Sequence, residues 1–184
     1  VLSALHMRRD SGKGSVVDVS LFETAASYVS LFAAQYQASG NLPTKQGSGA
    51  NGIVPYRAYA TRDSDLVVAA GSDGLFRRLA QVLGHPEWID DARFATNPKR
   101  VENRTAIYAL IEVEMAKRSN AEWIALLDEA GIPCAPVQNV AEMIAHEQTR
   151  ALGLMQDVPD SAMKFIGLPL SIDGMRPALR RRPP

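Results

Sequence analysis

A glycine run, a carboxylate after an apolar run and one thiol are where chemistry could sit in this 184-residue sequence. Gly47-Ser48-Gly49-Ala50-Asn51-Gly52 fits the letters G-x-G-x-x-G. Those letters hold a dinucleotide when a strand feeds them and a helix leaves them, because the phosphates then meet a helix N-terminus. Here a polar stretch precedes the run, and Ile53-Val54-Pro55-Tyr56 reads as extended after it. A mobile glycine loop that covers a ligand is the better reading, since glycine puts no side chain in the way of close approach. Asp73 follows the apolar residues 66–70 and the small pair Gly71-Ser72, at a predicted helix start. It could cap that helix, stabilised by the helix dipole. That is the favoured reading; the second is an acid at a strand's C-terminal end, where open α/β sheets place their sites.

The remaining motifs favour structure over chemistry. Cys134, the only cysteine, lies among prolines in an apolar run and reads as a small buried hydrophobe. A single cysteine excludes an internal disulfide and suits a reducing, cytoplasmic setting. His146-Glu147 starts like a zinc-protease helix, but Arg150 stands where the second His is needed. His6, His85 and His146 lack ligand spacing, so no metal site is expected. Gly12-Lys13-Gly14 lacks the rest of a P-loop and reads as a helix-to-strand turn, and no G-x-S-x-G nucleophile elbow occurs.

The elements that would position these residues follow from periodicity and punctuation. Val1 to Met7 reads as the end of an apolar helix, Val16-Val17-Asp18-Val19-Ser20 as a strand, and residues 21–38 as one long apolar helix. Two strands are predicted at Pro55-Tyr56-Arg57-Ala58-Tyr59 and residues 66–70, joined by a polar turn. Asn97-Pro98 offers a cap and a first-turn proline for a helix running to about Arg118. The most legible stretch is Gly131-Ile132-Pro133-Cys134-Ala135-Pro136-Val137. Before it, Trp123, Leu126, Leu127 and Ala130 share a helix face; Gly131 is placed to stop that helix in the left-handed conformation. Pro133 and Pro136 permit an edge strand but not a central one. Asn139 with Glu142 three residues on then forms a capping-box-like helix start. On residues alone this is a well-made helix–strand–helix corner.

Composition sets the bounds. An apolar content of 46% supports a real core. Twenty basic and twenty acidic residues cancel, which argues against a nucleic-acid or membrane-surface partner. The one concentrated basic run, Arg180-Arg181-Arg182, reads as a solvated tail. No apolar stretch approaches the length of a membrane span.

Several segments in shared order resemble the class III CoA-transferase family of the CaiB/BaiF type. They are the run from Gly12-Lys13-Gly14 through Val19-Ser20-Leu21, the Pro55-Tyr56-Arg57-Ala58-Tyr59 strand with residues 65–70, and Leu83-Gly84-His85-Pro86-Glu87-Trp88. Asp91-Ala92-Arg93-Phe94-Ala95-Thr96, Arg100-Val101-Glu102-Asn103-Arg104 and the Gly131 corner with Glu142 complete the set. The resemblance implies an α/β fold, with a small α/β domain beside partial segments of a Rossmann-like large domain, in a homodimer whose chains interlock. On this division residues 1–38 belong to the large domain, 39–55 form a glycine-containing linker, 56–153 the small domain, and 154–184 return toward the large domain.

It also implies an enzyme that moves coenzyme A between an acyl-CoA and a carboxylic acid through an aspartyl intermediate. The coenzyme A thioester is then a substrate, and no cofactor is permanently bound. The nucleophilic Asp is expected upstream of Val1, so this piece should be inactive alone. By the same resemblance Leu21 falls near the coenzyme, Gly47, Gly49 and Gly52 belong to a loop shielding reactive intermediates from water, and Asp73 lies near the active-site mouth. Two other readings stay open: an acyl-CoA racemase of the same fold, marked by an upstream His, and a non-catalytic dimerisation or folding fragment.

Overall fold

The computed structural model describes residues 1–159 and 161–179, so the basic run Arg180-Arg181-Arg182 lies outside the described residues. The chain divides into two compact units, Val1–Gly47 and Ser48–Pro184.

In the first unit, α1 (Leu2–Ser11) ends at Gly12, whose φ of 69° completes a left-handed stop. The segment Val16 to Ser20 carries no strand. A strand exists only through a ladder with a neighbour, and residues 1–47 supply none. The single helix expected over residues 21–38 is two: α2 (Leu21–Tyr28) and α3 (Ser30–Ser39). Val29 N–H pairs with Ala26 O three residues back, a tightened turn that breaks the α-helical run. Ser20 Oγ caps α2 by accepting from Glu23 N–H at 3.3 Å. No side chain in residues 1–47 is buried.

The second unit is built on an antiparallel sheet in the order β1 (Tyr56–Ala60), β2 (Asp65–Ala69), β3 (Cys134–Pro136). Tyr56 pairs with Ala69 and Ala60 with Asp65 across the hairpin; Leu66 faces Pro136 on the other side of β2. Both prolines thus lie on or beside the edge strand, as their missing donors require. Leu66 and Val68 of β2 and Tyr59 of β1 are buried under α4 (Asp73–Val82), α6 (Arg104–Met115) and α7 (Asn120–Glu129). Phe76, Leu79, Ile107, Ile111, Met115, Trp123 and Leu127 complete this core. The Trp123 indole N–H is satisfied by Met115 O at 2.8 Å.

Between α4 and α6 lie a 3₁₀ turn over Pro86–Ile89 and the short helix α5 (Asn97–Glu102). The long helix expected from Asn97 to about Arg118 breaks at Asn103, whose side-chain amide donates to Lys99 O (2.9 Å) and Arg93 O (3.3 Å). Side-chain bonding to the backbone competes there with helix continuation. The Gly131 corner behaves as its residues predict. Gly131 has φ 63°, its N–H donates to Asp128 O, and Ile132 N–H donates to Leu127 O, the two bonds of a Schellman stop. Asn139 and Glu142 form a reciprocal capping box on α8 (Val140–Ala145). Then come α9 (Glu147–Ala151), capped by His146 Nδ1, and a hairpin of β4 (Met155–Asp157) and β5 (Lys164–Ile166). Among the described residues no helix is long and apolar enough to cross a membrane.

Cys134 departs from expectation: on an edge strand it is half-buried rather than buried. Partial burial and the nearby Asp128 carboxylate push its thiol above the ordinary range. Thiolate formation is thereby disfavoured, which fits packing rather than nucleophilic attack.

Candidate functional site

The densest polar arrangement in the second unit surrounds Arg100, which is 0% exposed. Its guanidinium donates from Nε to Val54 O (2.7 Å) and from Nη1 to Phe94 O (2.9 Å). Nη2 donates to both Gly71 O (2.8 Å) and Asp73 Oδ1 (2.9 Å). The cation also lies 4.4 Å above the Phe76 ring. Burial draws Arg100 below its ordinary value, and the Asp73 carboxylate opposes that shift. The charge can be held in the interior because acceptors surround it.

Asp73 therefore has a different role from capping its own helix. Ser72 is the N-cap of α4, accepting from Leu75 N–H at 3.2 Å. Asp73 Oδ1 instead accepts the Asn97 N–H at 2.8 Å, capping α5 from outside while it pairs with Arg100. Asn97 is not the cap of α5 either, since Thr96 holds that position. Its side chain turns to the loop: Oδ1 accepts from Val54 N–H (3.0 Å) and Nδ2 donates to Gly52 O (2.9 Å). The Asp73 side chain is 45% exposed, and Oδ2 has no hydrogen-bond partner among the described residues. A carboxylate fixed by one oxygen and open at the other can accept a hydrogen bond from a ligand.

The glycine run is not a nucleotide cradle, because β1, not a helix, follows it. Gly47 has φ 60°, a conformation that favours glycine. The rest of the run makes hydrogen bonds to its surroundings. Ser48 Oγ accepts from Ala58 N–H (3.1 Å), Ala50 N–H donates to Tyr56 O (3.2 Å), and Gly52 O is held by Asn97. Asn97 thus joins Gly52 to Asp73. Gly49 sits inside the tethered stretch. Leu21 opens α2 in the first unit with its side chain 89% exposed.

Two further features lie outside this network. A cavity of about 570 Å³ is lined by Ser48, Arg57, Asp65, Glu112 and Val137, with Arg57 Nη1 paired to Glu112 at 3.2 Å. Elsewhere His85 is held by carboxylates at both ring nitrogens: Glu87 at Nδ1 (2.7 Å) and Glu114 at Nε2 (3.1 Å). Glu87 first and Glu114 second raise its affinity for a proton. Lys117 and then His85 hold Glu114 below the usual carboxylate range. The ring stacks on Trp88 at 4.4 Å. Among the described residues no group of three or more His, Cys, Asp or Glu is arranged to hold a metal ion.

A sequence model of CoA-transferase family III matches residues 1–184. The chain belongs to CoA-transferase family III. It is 36% identical to an acyl-CoA transferase of Fusarium pseudograminearum, over 100% of this chain and 41% of that protein. It is 30% identical to the acetyl-CoA:oxalate CoA-transferase of Acetobacter aceti, over 95% of this chain and 44% of that one. The crystal structure of a CAIB/BAIF family protein from Brucella suis, 34% identical, superposes with a TM-score of 0.81 over 100% of this chain and 48% of that one. The chain thus spans less than half the length of these family III relatives.

Within this family III chain, Arg100 and Asn97 escaped the sequence reading as loop anchors. No local signal marked them: Arg100 lies in the last turn of α5, where a basic side chain is ordinary, and its acceptors are supplied by the fold.

Proposed function

We propose that this chain is the loop-bearing part of an enzyme that moves coenzyme A from an acyl-CoA to a free carboxylic acid. The whole-chain family match carries this reading, because the matched relatives include an acyl-CoA transferase and an acetyl-CoA:oxalate CoA-transferase. In this reading an aspartate from polypeptide upstream of Val1 attacks the thioester carbonyl. A C–O bond forms, the C–S bond breaks, and coenzyme A leaves as a thiolate. The thiolate adds to the aspartyl carbonyl of the mixed anhydride, releasing the first acid as a carboxylate and leaving an aspartyl-CoA thioester. The acceptor carboxylate then displaces the thiolate in the same manner, and the thiolate recaptures the acceptor's acyl group, freeing the aspartate. No net proton or electron is consumed, and one difficult exchange becomes several easier ones.

Gly47, Gly49 and Gly52 shield the anhydride and thioester from water, which would otherwise hydrolyse them. Asp73, with its open Oδ2, lines the mouth of the site. Leu21 offers an apolar contact to the coenzyme. Residues 1–38 and 154–184 contribute to a Rossmann-like large domain, 39–55 form the linker and 56–153 the small domain, and two chains interlock as a homodimer.

An isotope experiment tests this directly. The complete polypeptide, given unlabelled acyl-CoA and a labelled free acid, is expected to move label into the CoA fraction, whereas residues 1–184 alone move none. Exchange by residues 1–184 alone would contradict a nucleophile outside them. Proton exchange at the α-carbon of a 2-methylacyl-CoA, without label transfer, would replace the transferase reading with an isomerase.

A further inference from the structure

We infer that Arg100 and Asn97 are positioning residues that hold the trailing end of the glycine loop closed, and so decide whether the enzyme's intermediates meet the acceptor acid or water. The inference rests on the transferase reading above, but the anchoring itself is written in this chain's contacts. Arg100 uses four of its five N–H donors, on Val54 O, Phe94 O, Gly71 O and Asp73 Oδ1. These acceptors come from three segments: the loop end, the stretch before α5 and the β2–α4 connection. A position needing only bulk is better filled by an apolar side chain, because desolvating a guanidinium is costly. Arg100 gives instead a fixed geometry among segments distant in sequence.

Asn97 clamps the same loop end through Val54 N–H and Gly52 O. Gly71 completes the seat. A Cβ there would lie 1.9 Å from Ile53 Cγ2, so Ile53 rests on bare backbone. Asn97 thus holds residues 52 and 54, the bare backbone of Gly71 seats 53, and Arg100 holds 54 a second time. A Cβ at Gly47 or Gly52 would meet nothing within 4 Å. The loop is therefore anchored through its backbone at 52–54, with open space where the Cβ of Gly47 or Gly52 would lie. Among the described residues the rest of the loop is held by bonds from Ala58 N–H to Ser48 Oγ, from Ala50 N–H to Tyr56 O and from Arg104 Nη2 to Asn51 O. The anchored end adds to these few bonds in setting how much of the time the loop is docked.

The test uses the complete enzyme and Asn97→Ala. This variant keeps the backbone N–H bonded to Asp73 and leaves Arg100 untouched, so the fold is expected to survive. The readout is the ratio of acyl-CoA hydrolysed to acyl-CoA transferred. Losing two hydrogen bonds is expected to raise that ratio about tenfold. Asn97→Asp keeps the acceptor for Val54 N–H and should fall between the variant and the parent; Arg100→Lys, which loses the fork, should raise the ratio at least as far. A purely structural role would lower hydrolysis and transfer together and leave the ratio unchanged. A folded Asn97→Ala enzyme with an unchanged ratio overturns the inference. If the unsubstituted enzyme transfers no coenzyme A, the transferase reading fails, and amide exchange then decides the anchoring. Amides of residues 48–54 should exchange about tenfold faster in Asn97→Ala, with β3 unaffected; unchanged exchange there overturns the anchoring as well.

Discussion

Residues 21–38 and the second unit are both rich in apolar side chains, yet only the second unit buries them. Ile107, Ile111 and Leu127 are 0% exposed, whereas Leu21, Phe22 and Leu31 are 89%, 82% and 65% exposed. Helices of eight and ten residues are marginal without packing. The first unit has caps and periodicity but no opposing face within it. The second unit closes an antiparallel sheet under three helices and keeps a charged network inside. Apolar periodicity predicts a helix and its sticky face; it does not say which surface meets that face. Family III relatives are more than twice as long as this chain, so surfaces for α1–α3 can come from the remainder of such a protein.

The contrast can be broken or sharpened by substitution. Arg100→Met should destabilise the second unit by about 3–5 kcal/mol in denaturant unfolding, because it leaves the acceptors around the guanidinium unpaired. A cost below about 1 kcal/mol would remove the network from the frame. Ile111→Ala should cost about 2–5 kcal/mol, while Phe32→Ala in the first unit should stay within about 0.5 kcal/mol. Equal costs would erase the distinction between the units.

A smaller effect concerns pH. His85 binds its proton more tightly when folded, so the Glu87–His85–Glu114 contacts contribute stability in full below the unfolded imidazole value of about 6.5. That contribution should fade as pH rises through the higher folded value. Glu114 runs oppositely: its pairing with Lys117 and His85 stabilises above the unfolded carboxyl value and is lost as pH falls through the depressed folded one. Comparing unfolding of the parent and His85→Gln across the neutral range reads the first contribution; parallel curves would remove it. Smallest of all is Tyr59→Phe. The Tyr59 hydroxyl is buried with no hydrogen-bond partner among the described residues, and burial pushes its phenol far above the ordinary range. Removing it should be neutral or stabilising by up to about 1 kcal/mol in thermal unfolding. A loss of stability would point to a water-mediated partner.

What was legible in the sequence was local. The Gly131 stop, the Asn139–Glu142 box and the β1–β2 hairpin follow from residues a few positions apart. The site was legible as a glycine run and a carboxylate, but their connection was not. Asp73 reads as a cap for α4, and Asn97 as a cap for α5, until the fold brings them together. Then Asp73 caps α5, and Asn97 releases its side chain to the loop. Long-range exchange of this kind leaves no local trace, since a basic residue in the last turn of α5 is ordinary. The strand expected over Val16 to Ser20 failed for a related reason, since a ladder needs a neighbour that residues 1–47 lack.

Amide hydrogen exchange on the 184-residue chain tests most directly whether the second unit is a self-supporting frame and the first a set of faces awaiting partners. Amides of β2, α6 and α7 should exchange at least about a thousandfold more slowly than those of α1–α3. In the complete polypeptide, α1–α3 should gain protection. Protection of α1–α3 in the 184-residue chain equal to that of α6 would contradict the account.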